Sequence, residues 1–350
     1  MKIGMPLSYA GGFRETADRL TEFEDVGLDL VMLPEAYSYD SVSQLGYLAA
    51  RTERVELSAS ILNVYSRSPA LIAMTAAGLD HVSDGRFVLG LGASGPQVVE
   101  GFHGVPYKQP LGRTREVVEI CRRVWRREAL DFHGDHFDVP LRPEDGGSGL
   151  GKPLKLINHP VRDRIPIVLA ALGPKNVALA AEVAEGWEPI FYHPEGAAEA
   201  FGEALAEGNA RRPADMDPLQ VVADTMVCVS EDPDEIAAAE ERARSHIALY
   251  VGGMGARGKN FYHDLATRFG FGEEADTVQD LFLGGRKAEA VAAVPDALLH
   301  GVMLIGSRSH VAERVAAFAA SGVHALNATP LSRTHEGRVA DVAALKEVSA

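Results

Sequence analysis

Three glycines in the run RFVLGLGASGP are spaced so that they could hold the backbone against a phosphate or a planar ring. Gly90, Gly92 and Gly95 spell G-x-G-x-x-G after an apolar stretch that predicts a strand. In dinucleotide-binding domains this spelling follows the first strand, and an acidic residue lies about twenty positions later. Here three strands precede it, and PLGRTR stands where the second strand should end. The context favours a tight loop against a planar ligand, formed by Gly92, Ala93, Ser94 and Gly95.

Other spacings that could support catalysis are weaker. His133 and His136 have HxxH spacing, but they flank a predicted hairpin turn and share no helix face. Cys121 and Cys228 are far apart and have no CxxC pattern, so neither a zinc site nor a disulfide framework is indicated. There is no G-x-S-x-G elbow for a nucleophilic serine. We therefore expect no metal.

About eight apolar stretches alternate with helix patterns along the chain, as strands buried on both faces do. These stretches are KIGMPLSY, LDLVMLPE, VELSASILN, RFVLGLG, PIVLAAL, GWEPIFY, LQVVADTMVCVS and VHALNATPL. Such a series in 350 residues predicts a (β/α)8 barrel of the TIM type, as a single domain over 1–350. Two segments near 129–165 and 253–300 interrupt the alternation and are expected as insertions, the second as a lid over the substrate.

Charge and composition exclude several classes of partner. The chain carries a net charge of −15, which repels nucleic-acid phosphates and anionic membrane surfaces. Its apolar runs are too short to span a bilayer, and its first residues predict a strand instead of a signal segment. We expect a cytoplasmic protein with no nucleic-acid or membrane partner. The helix patterns SVSQLGYLAART and SPALIAMTAAGLDHV are apolar on more than one face, which favours a homodimer.

The run RSPALIAMTAAGLDHVSDGRFVLGLGASGP resembles the central signature of the luciferase-like monooxygenase superfamily of flavin and deazaflavin barrels. The resemblance continues through LDFHGDHFDV, PIVLAALGPKNVALAAEVAEGW and VMLIGSRSHVAERVAAFAASGV, and so covers almost the whole chain in order. Within the superfamily, LPEAYSYD, LGLGASGPQVVEGFHGVPY and YVGGMGARGKNFY are most similar to the branch that uses coenzyme F420, a 5-deazaflavin. The resemblance implies a luciferase-like barrel that binds F420, with FMN as the alternative.

The resemblance also implies which residues surround the cofactor ring. In the superfamily the third strand carries a bulge with a non-prolyl cis peptide behind the ring, and by similarity this falls at Ser60–Ile61. Ile61 would back the ring, and Asn63 would lie near its polar edge. Glu35 ends the second strand, where related enzymes direct an acid toward the deazaflavin, and it is a candidate both for catalysis and for cofactor binding. Its alternative role is to cap a helix or a loop.

The acid–base partners of related sugar-phosphate dehydrogenases are missing. Those enzymes carry a His directly after the strand-end acid and a Glu in the fourth-strand loop, whereas this chain has Ala36 and Gly95. Sugar-phosphate oxidation is therefore not expected. The remaining candidate proton donors, each of which is also typical of a packing or surface residue, are Tyr37, Tyr65 and His103.

The stretch AALGPKNV predicts where the anionic end of the cofactor binds. The strand PIVLAA brings the chain to the barrel mouth, and Pro174 suits the first turn of the following helix. Backbone N–H groups at a helix start bind phosphate, and Gly173 allows close approach because it has no Cβ. Related barrels seat a phosphate at this turn, so the phosphodiester of F420 is expected at Ala171, Leu172, Gly173 and Pro174.

Together these features predict an oxidoreductase that transfers a hydride between C5 of F420 and a small organic substrate at the barrel mouth. Two alternatives stay open. One is an FMN-dependent monooxygenase that uses reduced flavin and O₂, and the other is a non-catalytic flavin-binding barrel.

Overall fold

The computed structural model describes residues 1–8 and 11–349. Its strands are β1 (Lys2–Pro6), β2 (Leu30–Leu33), β3 (Glu56–Ala59), β4 (Leu62–Asn63), β5 (Phe87–Gly92), β6 (Phe132–His133), β7 (Asp138–Val139), β8 (Ile167–Ala170), β9 (Gly186–Glu188), β10 (Gln220–Val229), β11 (Leu304–Gly306) and β12 (Val323–Pro330). Its helices are α1 (Phe13–Asp18), α2 (Leu20–Asp25), α3 (Ser41–Ala49), α4 (Pro69–Val82), α5 (Pro96–Val99), α6 (Pro110–Trp125), α7 (Pro174–Val183), α8 (Ala197–Arg211), α9 (Pro233–Ala248), α10 (Phe261–Arg268), α11 (Gly272–Leu283), α12 (Lys287–Ala292), α13 (Asp296–Val302), α14 (Arg308–Ala320) and α15 (His335–Val348). A 3₁₀ turn occurs at Pro143–Asp145 and a π-helical turn at Leu249–Gly253.

Parallel strands close into a barrel in the order β1-β2-β3-β5-β8-β9-β10-β12, because β12 pairs with β1 as well as with β10. β4 continues the third barrel strand beyond the Ser60–Ile61 peptide and pairs with β5. β10 pairs with β9 at its start and with β11 at its end, so β11 extends the sheet without closing the ring. The predicted (β/α)8 barrel is confirmed.

Alternate residues of the strands point into the barrel, and they form layers of different polarity. Leu30, Met32, Val222 and Ala325 meet across the barrel in an apolar cluster that is separate from the main core between strands and helices. Two residues further along β10 and β12, the strand register pairs Asp224 with Asn327. The barrel interior therefore changes from apolar to polar on the way to its C-terminal mouth.

Some elements differ from the sequence-based expectation. The short helix α5, which the sequence patterns did not predict, begins directly after Gly95. Helices α1 and α2 meet at Arg19, and β11 was not among the predicted strands. The expected hairpin is present as β6 and β7, whose antiparallel register pairs His133 with Asp138. Helices α10 to α13 occupy most of the second predicted insertion.

Gly90 and Gly92 are required by contacts between barrel strands. A Cβ on Gly90 would overlap the carbonyl oxygen of Ala59 on the third strand. A Cβ on Gly92 would lie 2.6 Å from Cδ1 of Ile61, which is far inside van der Waals contact. The G-x-G spelling thus marks the close approach of two strands in a barrel.

Neither a membrane-spanning helix nor a cluster of metal ligands occurs in the described residues. None of the helices in residues 1–8 and 11–349 is long and apolar enough to cross a membrane. The same residues contain no group of three or more His, Cys, Asp or Glu side chains placed to hold a metal ion.

Candidate active site

A cavity of about 300 Å³ opens at the C-terminal ends of the barrel strands. Ile61, Gly92, Ala170 and Glu188 line it from the ends of four neighbouring strands. Catalytic and binding residues of (β/α)8 barrels lie at this end, because every parallel strand delivers its following loop to it. We call this space the mouth cavity.

The structure brings most of the predicted cofactor residues together at the mouth cavity. The predicted residues that line it are Ser60, Ile61, Gly92, Ala93, Ser94, Ala171, Leu172 and Gly173. The Ser60–Ile61 peptide is cis, as the resemblance implied. Gly95 and Pro174 are not lining residues but stand at its border, where Gly95 is the N-cap of α5 and Pro174 is the first residue of α7.

Two side chains fix the loop between β8 and α7. Trp187 Nε1 donates a hydrogen bond to the carbonyl of Ala171 at 2.8 Å, and Arg268 donates to the carbonyl of Leu172 at 2.9 Å. Gly173 caps α7 without a side-chain hydrogen bond, and a Cβ built on it would have no atom within 4 Å. The helix thus begins beside open space without a side-chain cap, and the positive end of its dipole lies at this space. Pro174 has no N–H, and the N–H groups of Asn176 and Val177 donate to the carbonyl of Gly173.

Aromatic side chains from the π-helical turn and the start of α10 line the mouth cavity. Tyr250, Phe261 and Tyr262 line it, and the rings of Tyr250 and Tyr262 meet edge-on at 4.7 Å. Asn260 is 1% exposed and joins the segments that carry them. Its amide donates to the carbonyls of Tyr250 and Val251, and its oxygen accepts from the backbone N–H of Tyr262 at 2.9 Å. The π-helical turn and the start of α10 are therefore held as one unit over the cavity.

Glu35 does not line the mouth cavity. Its carboxylate accepts two hydrogen bonds from the Arg67 guanidinium, at 2.6 and 2.9 Å, and two more from the backbone and hydroxyl of Ser41. Burial raises the pKa of Glu35, but the bonds from Arg67 and Ser41 outweigh it, and the pKa is lowered overall. Glu35 is therefore an ionised group that ties the end of β2 to the segment after β4.

The other candidate proton donors also lie outside the cavity lining. Tyr37 is 70% exposed and packs against Phe102, and His103 contacts the same Phe102 ring at 5.3 Å. The Tyr65 hydroxyl donates to the carbonyl of Lys108. Asn63 is buried, and its oxygen accepts from the backbone N–H of Tyr65, while its amide nitrogen has no partner among the described residues.

Two acidic residues that sequence reasoning missed lie inside the barrel at the cavity floor. Glu188, at the end of β9, accepts a hydrogen bond of 2.6 Å from the Ser60 hydroxyl. Asp224, in the middle of β10, accepts one of 2.6 Å from the Asn327 amide. Burial, and secondly the charge of Asp224, raises the pKa of Glu188 well above its ordinary value, and burial raises the pKa of Asp224 to about 7.

A second cavity of about 540 Å³ lies next to the mouth cavity. Both are lined by Ser60, Ile190, Asp224 and Tyr250, so the two spaces meet at the acidic pair. The rest of the second cavity combines an apolar part with a polar part that includes His246, His335 and Arg338. The apolar part is formed by side chains that include Met5, Leu7, Phe23, Pro34, Phe191, Met226 and Met303. We call it the apolar cavity.

Comparison with known proteins agrees with this geometry. Residues 1–325 match the family model described as luciferase-like monooxygenase. The chain is 42% identical, over 99% of both chains, to a Mycobacterium tuberculosis protein named "putative coenzyme F420-dependent oxidoreductase". It is 30% identical to a 5,10-methylenetetrahydromethanopterin reductase of Archaeoglobus fulgidus, over 86% of this chain and 84% of the relative.

The chain belongs to the luciferase-like monooxygenase family. A solved structure of the coenzyme F420-dependent tetrahydromethanopterin reductase from Methanopyrus kandleri superposes with a TM-score of 0.79. It covers 98% of this chain and 97% of its own, and because the identity is 21% this likeness concerns the fold. In this member of the luciferase-like family, the mouth cavity joins the uncapped start of α7 to a buried acidic pair. Such a site can orient a planar anionic cofactor and hold a proton beside it.

Proposed function

We propose that this protein is an F420-dependent oxidoreductase that transfers a hydride between C5 of the deazaflavin and an organic substrate bound next to it. The observation that carries the proposal is the mouth cavity, whose lining combines the open start of α7, an aliphatic wall at Ile61 and Leu91 and the buried acid Glu188 in one space. The F420-dependent name of the M. tuberculosis relative supports the choice of cofactor. Bound F420 supplies two-electron hydride chemistry, and the protein supplies orientation and water exclusion.

The start of α7 fits the phosphodiester of F420. Gly173 leaves the approach open, Asn176 also lines the cavity, and the loop carbonyls of Ala171 and Leu172 are already bonded to Trp187 and Arg268. A phosphate here would meet backbone donors and the positive end of the helix dipole.

The opposite side of the mouth cavity fits a planar ring. Ile61 and Leu91 present aliphatic side chains, and Gly92 has no Cβ because Ile61 occupies that space. Ala93 and Ser94 complete this wall. Tyr250, Phe261 and Tyr262 would exclude water from the ring. We propose that Glu35, Tyr37 and His103 lie outside the ring-binding space, and that Glu35 positions the surrounding loops through Arg67.

The apolar cavity is the proposed place of the substrate. It meets the mouth cavity at Asp224 and Tyr250, and its apolar part, which includes Met5, Met226 and Met303, favours an organic molecule with an apolar body.

Fluorescence titration with F420, FMN and NADPH in parallel tests the proposal. F420 should bind in the micromolar range, with a binding free energy of about −8 kcal/mol, and FMN should bind about tenfold more weakly or worse.

Gly173→Asp should weaken F420 binding by about 2 kcal/mol, because a carboxylate would stand where the phosphate binds. Gly202→Asp is the matched control, since a Cβ there also meets no atom within 4 Å but lies on α8, away from the cavity. Tighter FMN binding with oxygen consumption would favour a monooxygenase, and binding without turnover a non-catalytic barrel.

We also propose a homodimer formed through α3 and α4. Leu71, Met74 and Val82 are exposed along one face of α4, at 46%, 54% and 56%, and Tyr47 on α3 is exposed at 38%. An apolar stripe of this kind is typical of an interface. Light scattering at micromolar concentration should show a dimer that Met74→Glu converts to a monomer.

Cys121 and Cys228 are both unpaired and buried, which supports the proposed cytoplasmic location.

A further inference from the structure

Glu188 and Asp224 form an acidic pair at the junction of the two cavities. Glu188 lines the mouth cavity, and Asp224 lines both the mouth cavity and the apolar cavity. Each carboxyl group has one neutral donor, the Ser60 hydroxyl for Glu188 and the Asn327 amide for Asp224. The pair therefore has a fixed geometry and access to both spaces in which a reaction between cofactor and substrate would take place.

One oxygen of the pair lacks a donor. Glu188 is 3% exposed, and its Oε2 atom has no hydrogen-bond partner in the described part of the chain. A buried carboxylate oxygen without a donor is costly, and two ionised carboxylates beside each other add repulsion. A single proton held by one carboxyl group and donated to the other removes both penalties.

The groups that face the pair do not neutralise it by other means. Among the described residues no Lys, Arg or His contributes to the field at either carboxyl group, and Tyr262 faces Asp224 as a neutral phenol. The basic side chains elsewhere in the apolar cavity are His246, His335 and Arg338. Burial lowers the pKa of His246 to about 4, so it is neutral at pH 7. Burial, with no facing cation to offset it, therefore raises the pKa values of both carboxyl groups.

We infer that Glu188 and Asp224 share one proton and exchange it with a substrate in the apolar cavity. The inference rests on the proposed function and adds the proton to the hydride. In the reducing direction, the hydride goes to the substrate carbon, the π bond of a C=O or C=N group breaks, and the proton moves from the pair to the heteroatom. The pair is then doubly ionised and regains a proton from solvent. In the oxidising direction the pair accepts the proton of a hydroxyl or amine as the hydride leaves.

The same geometry restricts the substrate. The pair carries one negative charge and no Lys, Arg or His of the described residues faces either carboxyl group directly, so a carboxylate or phosphate bound next to the pair would be repelled. Arg338 also lines this cavity, but it does not contribute at the pair. The expected substrates are uncharged carbonyl compounds, imines or their reduced forms, with an apolar body that fills the apolar cavity.

Infrared difference spectroscopy tests whether the pair holds a proton, and it needs no substrate. Wild type at neutral pH should show the carbonyl stretch of a protonated carboxylic acid that disappears on titration to alkaline pH. In Glu188→Gln and Asp224→Asn this band should be lost or displaced, because the new amide supplies the missing donor to the remaining carboxylate. Glu182→Gln is the matched control, since Glu182 pairs with Arg115 and Arg211 on the surface of α7, and its spectrum should match wild type.

Kinetics with F420 and a panel of neutral and anionic carbonyl acceptors tests the exchange. Glu188→Gln and Asp224→Asn should bind F420 within about threefold of wild type but lower kcat by about 10² or more, the usual contribution of a proton donor. They should also lose the alkaline limb of the pH profile. A wild-type protein without the carboxylic-acid band, variants with a wild-type pH profile, or a preference for anionic acceptors would each overturn the inference. Failure of wild type to bind F420 would instead overturn the proposed function, and the band would remain.

Discussion

Glu35 and Glu188 both follow or end an inner strand of the barrel at its C-terminal mouth, yet their surroundings are opposite. Glu35 meets the Arg67 guanidinium and the Ser41 donors, so its pKa is lowered although burial alone would raise it. Glu188 meets another acid and one hydroxyl, so burial and the charge of Asp224 raise its pKa. The position of an acid at a strand end does not decide its charge state, because the side chains on the neighbouring strands do.

The largest expected effect on stability comes from removing Arg67, the cation beside Glu35. Arg67 and Glu35 side chains are only 15% and 10% exposed, so Arg67→Met would leave a buried carboxylate unpaired. The free energy of unfolding should fall by about 3 kcal/mol at pH 7, and by less at pH 4, where Glu35 can take up a proton. Urea unfolding at both pH values measures this.

The matched control for that variant is Lys2→Met, which breaks an ion pair whose side chains are 51% and 37% exposed. It should cost less than about 1 kcal/mol. Equal losses in the two variants would contradict the buried role of Arg67.

A smaller effect is expected on the pH dependence of stability at the pair of Glu188 and Asp224. A carboxyl group whose pKa is raised by folding binds its proton more tightly in the folded state. The free energy of unfolding therefore falls as the pH rises from the unfolded-state pKa to the folded-state pKa. For Asp224 this window runs from 3.8 to about 7. Asp224→Asn should therefore gain stability relative to wild type across that window, by about 1 kcal/mol or more.

Thermal or urea unfolding between pH 4 and pH 8 measures the difference in stability between variant and wild type as a function of pH. For the control Asp18→Asn, at a surface ion pair with Arg51, this difference should not change with pH. A flat curve for Asp224→Asn would mean that the pair is ionised in the folded protein.

The smallest effect is expected at Ser60. Ser60→Ala removes the donor to Glu188 Oε1, and a largely protonated pair should tolerate this at a cost of about 1 kcal/mol. Ser58→Ala is the control, because Ser58 is buried on the same strand but donates to the carbonyl of Ala59 instead. A cost of about 3 kcal/mol at Ser60 would indicate that Glu188 is a full carboxylate.

The barrel and the mouth were predictable because they depend on local pattern. Strand–helix alternation predicts the barrel, and the resemblance placed Ser60–Ile61, Gly92 and Gly173 at one end of it. Glu188 and Asp224 were missed because GWEPIFY and LQVVADTMVCVS were interpreted only as buried strands. An acid inside an otherwise apolar strand was the available signal, but its partner depends on strand register between distant segments. Arg67 was missed as the partner of Glu35 for the same reason.

The pairing of β12 with β1 has a consequence for synthesis of the chain. β1 is made first, but one of its edges stays unpaired until Val323–Pro330 has left the ribosome. An exposed parallel edge can pair with other chains, and such long-range closure is slow. The edge of β1 that β12 covers is therefore open to pairing with other chains during nearly all of translation.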